Sequence, residues 1–300
     1  MSVVVVGSVN ADLHLRLARH PRPGETLLAS GGTLSPGGKG ANQACASALA
    51  GAPTVLLGAV GADGAKEAAL RLLKDGGVDI SRLAVIADQP TGLAVVTVDA
   101  EGENTVVVVP GANTLVGTAS VEAWEPLIAD ATVLVLQGEI PATSSARAAD
   151  LASGQVVVNL APVISMPASL LRRADPLVVN EHEGEEALQQ LGGETISEPR
   201  EILEGLLAQG VPSVVMTLGA AGALVGDASG ISSIPSPTVT PVDTVGAGDA
   251  FVGALAARLA AGDSLVISAG YAARFAAYTV QFDGAQSSYP APGTPLPEVS

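Results

Sequence analysis

Short apolar runs rich in β-branched residues recur along this chain, with stretches of helical composition between them. Residues 3–6, 54–60, 132–136, 156–160, 177–179 and 213–218 are such runs. Runs of this length without polar alternation suit strands covered on both faces, as in a parallel sheet. Residues 64–74, 141–152 and 199–209 lie between them, rich in Ala and Leu, and read as helices. Alternating strands and helices predict a layered α/β fold.

Two regions depart from that rhythm. Residues 12–17 (DLHLRL) alternate polar and apolar side chains, and residues 25–34 form another extended candidate. Residues 91–99 and 104–109 make a second pair around the turn formed by Ala100, Glu101, Gly102 and Glu103. Alternation suits half-exposed strands of an antiparallel sheet. The four segments are therefore expected to build a small lid, discontinuous in sequence. Its expected bounds are 12–37 and 91–111, against a main domain of 1–11, 38–90 and 112–300. Residues 246–261 and 263–280 read as a long helical pair, and the tail from Pro290 as extended.

Composition narrows the partners. The formal net charge is −16, which repels nucleic acid and anionic lipid. Any anion held by so acidic a chain must be held locally, by backbone N–H groups, a helix N-terminus or a metal ion. The single cysteine, Cys45, excludes an intrachain disulfide framework and a cysteine-rich zinc site. Met1 and Ser2 lead straight into four valines, with no basic region and no long apolar segment of a secretory signal. The expected setting is soluble and cytoplasmic.

Three glycine-bearing segments carry candidate chemistry. In Asp243-Thr244-Val245-Gly246-Ala247-Gly248-Asp249, a turn opens a helix of small residues. First-turn N–H groups lack intrahelical partners, and the helix dipole adds partial positive charge there. Glycines let a phosphate approach that backbone closely. Asp249 would stand beside it, suited to take a hydroxyl proton during phosphoryl transfer. Taken alone, the tetrapeptide from Gly246 reads first as a helix start capped by Asp243 or Asp249. In the second segment, Gly37-Gly38-Lys39-Gly40-Ala41-Asn42 precedes another helix, expected to run to about Ala50. Thr33 stands where a Walker phosphate loop needs its first Gly, and Gly40 follows the Lys, so that loop is disfavoured. Asn42 suits a polyol, and a flexible glycine turn explains the segment equally. The third segment, Gly7-Ser8-Val9-Asn10-Ala11-Asp12, follows the first strand. Ligands of open α/β sheets bind beyond strand C-termini, which would bring Asn10 and Asp12 to sugar hydroxyls. An Asx turn is the plain alternative. The glycine fingerprint of a dinucleotide-binding fold is absent here.

Together, GGKGANQA and DTVGAGDAF resemble the two hallmark motifs of the ribokinase-like (PfkB) carbohydrate kinases. Asn10-Ala11-Asp12 with the full GGKGANQA is most similar to the ribose-phosphorylating members. Gly102–Asn113, Asn180–Glu186, Thr217–Ala223 and Asp283–Ser288 match in order, so the resemblance covers essentially the whole chain. It implies a three-layer α/β/α domain with a mostly parallel central sheet plus a small β-sheet lid. It also implies ATP-dependent phosphorylation of D-ribose to D-ribose 5-phosphate. By position, Asn10, Asp12, Gly38, Lys39, Asn42 and Glu139 resemble sugar ligands, and Asp249 the base that deprotonates the sugar hydroxyl. Gly246, Ala247 and Gly248 resemble the anion hole. Asn180 and Glu183 resemble the pair that organises the phosphates and Mg²⁺ through water. Thr217 and Gly219 resemble the nucleotide edge. Asp243, Val245, Thr279, Phe282, Gly284 and Ser288 fall where a K⁺ activator site is placed, with Val245, Phe282 and Gly284 giving main-chain carbonyls. A homodimer paired through the lids is implied as well.

Two segments depart from the pattern. Gly246 and Ala250 stand where many members carry Ala and Thr, and His182 and Gly184 interrupt the NEHEGEE segment. The motifs leave open another sugar or a nucleoside as substrate (deoxyribose or fructose among them), or a sugar-binding protein without catalysis. His14, His20 and His182 show no metal-ligand spacing. Cys45 is expected to be buried and inert, and Trp124 to pack a helix.

Overall fold

The computed structural model describes residues 2–101 and 103–299. Met1, the turn residue Gly102 and Ser300 lie outside the described residues. The chain opens with β1 (Val3–Val6), β2 (Asn10–Arg16), β3 (Gly31–Gly37), α1 (Lys39–Leu49), β4 (Thr54–Leu57), β5 (Ala59–Gly61), α2 (Ala65–Asp75) and β6 (Ala84–Ile86). There follow β7 (Gly92–Val98), β8 (Asn104–Val109), α3 (Thr118–Ala123), α4 (Glu125–Asp130), β9 (Val133–Leu136), α5 (Ala142–Leu151) and β10 (Gln155–Asn159). The remainder comprises α6 (Ala168–Leu171), β11 (Leu177–Asn180), α7 (Glu181–Gln190), α8 (Pro199–Ala208), β12 (Val214–Thr217), β13 (Ala223–Asp227), β14 (Gly230–Ile234), α9 (Ala247–Ala260) and α10 (Leu265–Thr279). The expected helices end within about two residues of these bounds, the ordinary uncertainty of helix ends.

Eight strands form the central sheet in the order β14-β13-β12-β11-β10-β9-β1-β4. The six from β12 to β4 are parallel, and β13 and β14 add an antiparallel hairpin at one edge. Its inner strands are buried on both faces, which explains their unbroken apolar runs. Alternate side chains part to opposite sides. Val3, Val5, Val133, Val135 and Val157 pack with α1, α9 and α10. Val4, Val6, Leu134, Leu136 and Val158 pack on the other face with α3 to α8, where Trp124 is buried too. Connections leave β1 toward β4 on one side while β9 lies on the other, which puts a crevice at the strand C-termini, where such sheets bind ligands.

A second sheet of four strands, β3-β2-β7-β8, stands apart from the first. Its centre is parallel (β2 with β7) and its outer pairs are antiparallel. Two strand expectations need correction. The strand placed at 25–34 begins only at Gly31 and runs to Gly37. Glu25 is instead held by Arg19 and the Arg22 N–H in a turn, and Leu28 is exposed. The run at 54–60 breaks at Gly58, and β5 leaves the main sheet to pair with β6. A Cβ at Gly58 would stand 2.4 Å from the Gly7 carbonyl oxygen, so chain packing, not local composition, sets that break.

Candidate active site

The crevice gathers the C-terminal ends of β1, β9, β10 and β11 with the N-termini of α1, α7 and α9. At α9 the chain enters through Gly246 in the left-handed region, φ 75°, and no side chain caps the helix. Asp243 accepts hydrogen bonds from the N–H groups of Val245 (3.0 Å) and Gly284 (2.8 Å), so it braces the turn. Asp249 accepts from Asn42 Nδ2 at one oxygen and from Gln43 Nε2 at the other, both at 2.9 Å. Helix capping therefore does not account for either carboxylate. Gly246 is also required sterically, because a Cβ there would lie 2.5 Å from the Ala285 Cβ. That explains one departure from the family pattern. At Gly184 a Cβ would meet only side-chain atoms, the nearest being the Met216 Cε at 2.7 Å, a flexible end that can move aside, so packing does not require that departure.

Around β1 and β9, Glu139 accepts the Ser8 hydroxyl (2.5 Å) and the Lys39 N–H (2.9 Å), which ties the glycine turn before α1 to the sheet. The Asn10 Oδ1 accepts from buried Asn113 at 2.8 Å, so the Asn10 amide nitrogen is the free end. Asp12 sits in a notch left by Gly37, where a Cβ would meet the carboxyl carbon at 2.1 Å. One Asp12 carboxyl oxygen is buried without a partner. Burial, then the neighbouring Glu139 and Asp249 carboxylates, push the Asp12 pKa up to about 7. Lys39 is held charged above its ordinary range, chiefly by Asp249 and further by Glu139 and Glu183, with burial opposing.

At α7, Asn180 and Glu183 form a capping box: each side chain bonds the other's backbone N–H, at 2.8 and 2.9 Å. Burial raises the Glu183 pKa above its ordinary value. Glu183, Lys39, Asn159, Gly246, Gly248 and Asp249 line a polar cavity of about 210 Å³. A larger cavity of about 380 Å³ joins it at Thr217 and Gly248, lined by Gly219, Val239, Phe251, Ala273, Ala277 and others. Its wall is mostly apolar and its floor is the start of α9. Such a slot suits a flat heteroaromatic ring, with anionic groups directed at the helix N-terminus.

The expected cation residues converge only in part. Asp243, Val245 and Gly284 meet through hydrogen bonds, whereas Thr279 and Ser288 donate their hydroxyls to the Phe275 and Ala285 carbonyls. Gln43, Ser8, Asn113, Asn159 and Gln286 were not singled out by sequence reasoning. Gln43, Asn113 and Gln286 lie inside the matched motifs and Ser8 inside the segment after the first strand; Asn159 carries no local signal. Cys45 is buried, and burial pushes its thiol up to about 12.

Residues 1–292 match the pfkB family carbohydrate kinase. The chain belongs to the PfkB family of carbohydrate kinases. Among its relatives, the ribokinase of Schizosaccharomyces pombe is 37% identical over 302 residues, covering 97% of this chain and 95% of the relative. The Staphylococcus aureus ribokinase is 34% identical over 296 residues, at 96% of each chain. The solved Thermotoga maritima ribokinase superposes with a TM-score of 0.91 at 30% identity, over 97% and 96% of the two chains. An Arabidopsis thaliana ribokinase solved with ribose and ATP superposes at 0.87 and 31% identity, again over 97% and 96%. The PfkB assignment makes this chain a phosphotransferase acting on a sugar alcohol group, and its α/β/α layering is that of these relatives. Among the described residues, no helix is long and apolar enough to cross a membrane.

Proposed function

We propose that this kinase transfers the γ-phosphoryl group of ATP to the terminal hydroxyl of D-ribose, giving D-ribose 5-phosphate and ADP. The observation that carries the reading is the place of Asp249. It stands buried where the polar cavity meets the N-terminus of α9, within electrostatic reach of Asp12 and Lys39. The named relatives are ribokinases, and one was solved with ribose and ATP.

In the proposed reaction, Asn10, Asp12, the Gly38 turn, Lys39, Asn42 and Glu139 bind the sugar hydroxyls. The Asn10 amide donates and the Asp12 carboxylate accepts, a complementary pair for a polyol. Adenine enters the apolar slot past Thr217 and Gly219. Asp249 takes the proton of the attacking hydroxyl as its oxygen bonds to the γ-phosphorus and the bond to the β-phosphate bridging oxygen breaks. The N–H groups at Gly246 and Gly248 receive charge on the transferring group, joined by that of Ala247 once it leaves the Thr244 carbonyl it now meets at 3.2 Å. Mg²⁺, when bound, neutralises phosphate charge; Asn180 and Glu183 would hold it through water. Glu183 lines the phosphate end and, with the Glu139 and Asp249 carboxylates nearby, leaves Lys39 an insufficient counter-charge, which fits a cation there. Asp243, the Thr279 and Ser288 hydroxyls and the Val245, Phe282 and Gly284 carbonyls would together supply an all-oxygen donor set suited to K⁺, the two hydroxyls turning from the Phe275 and Ala285 carbonyls they now meet. The four-stranded sheet, with bounds 12–37 and 91–111, is proposed to close over the sugar and exclude water. The exposed stripe Val106 to Val109 on β8 supports pairing of two copies through that sheet. A cytoplasmic setting fits the free, buried thiol.

A coupled ADP-release assay over a sugar panel tests the substrate: absence of ribose-dependent turnover with Mg-ATP and K⁺ overturns it. Asp249→Asn is expected to lower kcat by roughly 10²- to 10⁴-fold while ribose still binds. An active Asp249→Asn enzyme removes Asp249 from the role of base.

A further inference from the structure

We propose that Gln43 and Gln286 are positioning residues for phosphoryl transfer, fixing through two amide chains the direction in which the Asp249 carboxylate faces. The inference rests on the reading of Asp249 as the base.

Each oxygen of Asp249 is held by a different amide: Oδ2 by Asn42 Nδ2 and Oδ1 by Gln43 Nε2. A carboxylate engaged at both oxygens from α1 cannot rotate freely about its terminal torsion, yet each oxygen keeps a lone pair for a substrate proton. Amides point either end forward equally well unless a neighbour decides, and here neighbours decide on both chains. Gln43 Nε2 also reaches Asn159 Oδ1 at 3.0 Å, and Asn159 Nδ2 donates to the Val178 carbonyl at 3.1 Å. The backbone of β11 thus fixes Asn159, Asn159 fixes Gln43, and the Gln43 donor faces Asp249. On the other side Gln286 Nε2 donates to Asn42 Oδ1 at 2.9 Å, which turns the Asn42 donor to Asp249. With that amide reversed, oxygen would face oxygen.

Gln43 and Gln286 are almost wholly buried, and neither lines either cavity. They act on the reaction through Asp249 and not by contact with substrate. Both also leave a carbonyl oxygen buried without a partner, an expense a purely space-filling residue avoids. The titratable groups that interact electrostatically with Asp249 are Asp12 on β2, Lys39 on α1, Glu183 on α7 and Tyr289 after α10. Replacing a glutamine by methionine keeps its length and alters the charge of none of them.

The test compares Gln43→Met, Gln286→Met and Asp249→Asn in kcat, ribose binding, KM for ATP and thermal stability. Gln43→Met, which loses a hydrogen bond to a charged group, is expected to lose roughly 10- to 100-fold in kcat, and Gln286→Met, which loses a neutral bond that orients Asn42, roughly 3- to 10-fold. Binding of ribose and ATP should stay within about twofold, the pattern of an interaction that matters in the transition state. A merely structural role would lower thermal stability and weaken ribose and ATP binding together with kcat. Wild-type kcat, or a kcat loss matched by equally weakened binding, overturns the proposal. If Asp249→Asn is inactive while both Met variants behave as wild type, positioning alone fails. If Asp249→Asn is active, the reading of the base fails first. The two glutamines sit on separate elements, so a variant that does not fold leaves the other to decide.

Discussion

Gly253 lies one turn after Asp249 on α9, where that helix crosses α1. A Cβ at this position would stand 2.3 Å from the Gln43 carbonyl oxygen, 2.6 Å from the Ala46 Cβ and 2.9 Å from the Ser47 nitrogen. Two of these atoms are helix backbone and cannot swing aside. Restoring ordinary contact in Gly253→Ala requires the helices to part by about 1 Å. That displacement acts on the pair of helices that carries Asn42, Gln43 and Asp249. Their 2.9 Å hydrogen bonds would stretch beyond the useful range. A misplacement of that size costs about 10²-fold in rate.

Stability should change much less. Alanine is favoured over glycine within a helix by about 1 kcal/mol, while overpacking costs about 1–3 kcal/mol. The net loss is then at most about 2 kcal/mol, a fall in Tm of a few degrees at about 2–4 °C per kcal/mol. The measurements are thermal unfolding and kcat by coupled ADP release with ribose and Mg-ATP. A variant with wild-type kcat would refute the reasoning, since it would mean that the α1–α9 spacing does not set the geometry of Asp249.

Gly37→Ala would drive a Cβ into the Asp12 carboxyl, so the ribose dissociation constant should rise at least about tenfold while KM for ATP holds; calorimetry decides. Gly248→Ala behaves oppositely to Gly253→Ala, because a Cβ there meets nothing within 4 Å. Its Tm should hold or rise, while a methyl at the proposed anion-binding turn lowers kcat, and an undiminished kcat would place the phosphates elsewhere. Asp12 gives a pH dependence. With its pKa raised to about 7, the folded protein holds a proton that the unfolded chain has released above pH 3.8. Ligand-free stability therefore falls as pH rises through that window. Sugar hydroxyls donate to the ionised form, so ribose affinity should drop by up to about tenfold per pH unit below 7, with proton release on binding. Affinity constant from pH 5.5 to 8 would contradict this.

The main sheet was legible because its strands are covered on both faces, which leaves unbroken β-branched runs. The elements that were misread are those whose boundaries depend on contacts distant in sequence. The break at Gly58 falls inside the uninterrupted apolar run TVLLGAV and is imposed by the Gly7 backbone. Strand β3, GGTLSPG, has little strand propensity and forms because β2 pairs with all seven of its residues. The hairpin β13–β14 is short and carries serines on its outer strand. The candidate site divides in the same way. Glycine turns before helices can be read locally, because the backbone conformation itself needs glycine. The amides around Asp249 cannot, because Gln43 and Asn42 lie 206 and 207 residues from it. Their positions in a motif flag them, but only the packing of α1 on α9 shows what they hold.

That packing also bears on how a chain of net charge −16 handles a nucleotide. Asp12, Glu139, Glu183 and Asp249 approach the crevice, and among these residues Lys39 is the one cation. A side-chain cation cluster could not be fitted into such a field without pairing to those carboxylates and losing its free charge. Backbone N–H groups at an uncapped helix start suffer no such competition, because their partial charge is fixed and no carboxylate caps them. Asp249 can then sit beside the proposed anion site without filling it, because Asn42 and Gln43 hold both its oxygens from α1. The amide clamp and the uncapped α9 are thus two parts of one arrangement: the first keeps the proposed base out of the position that the second keeps open for phosphate.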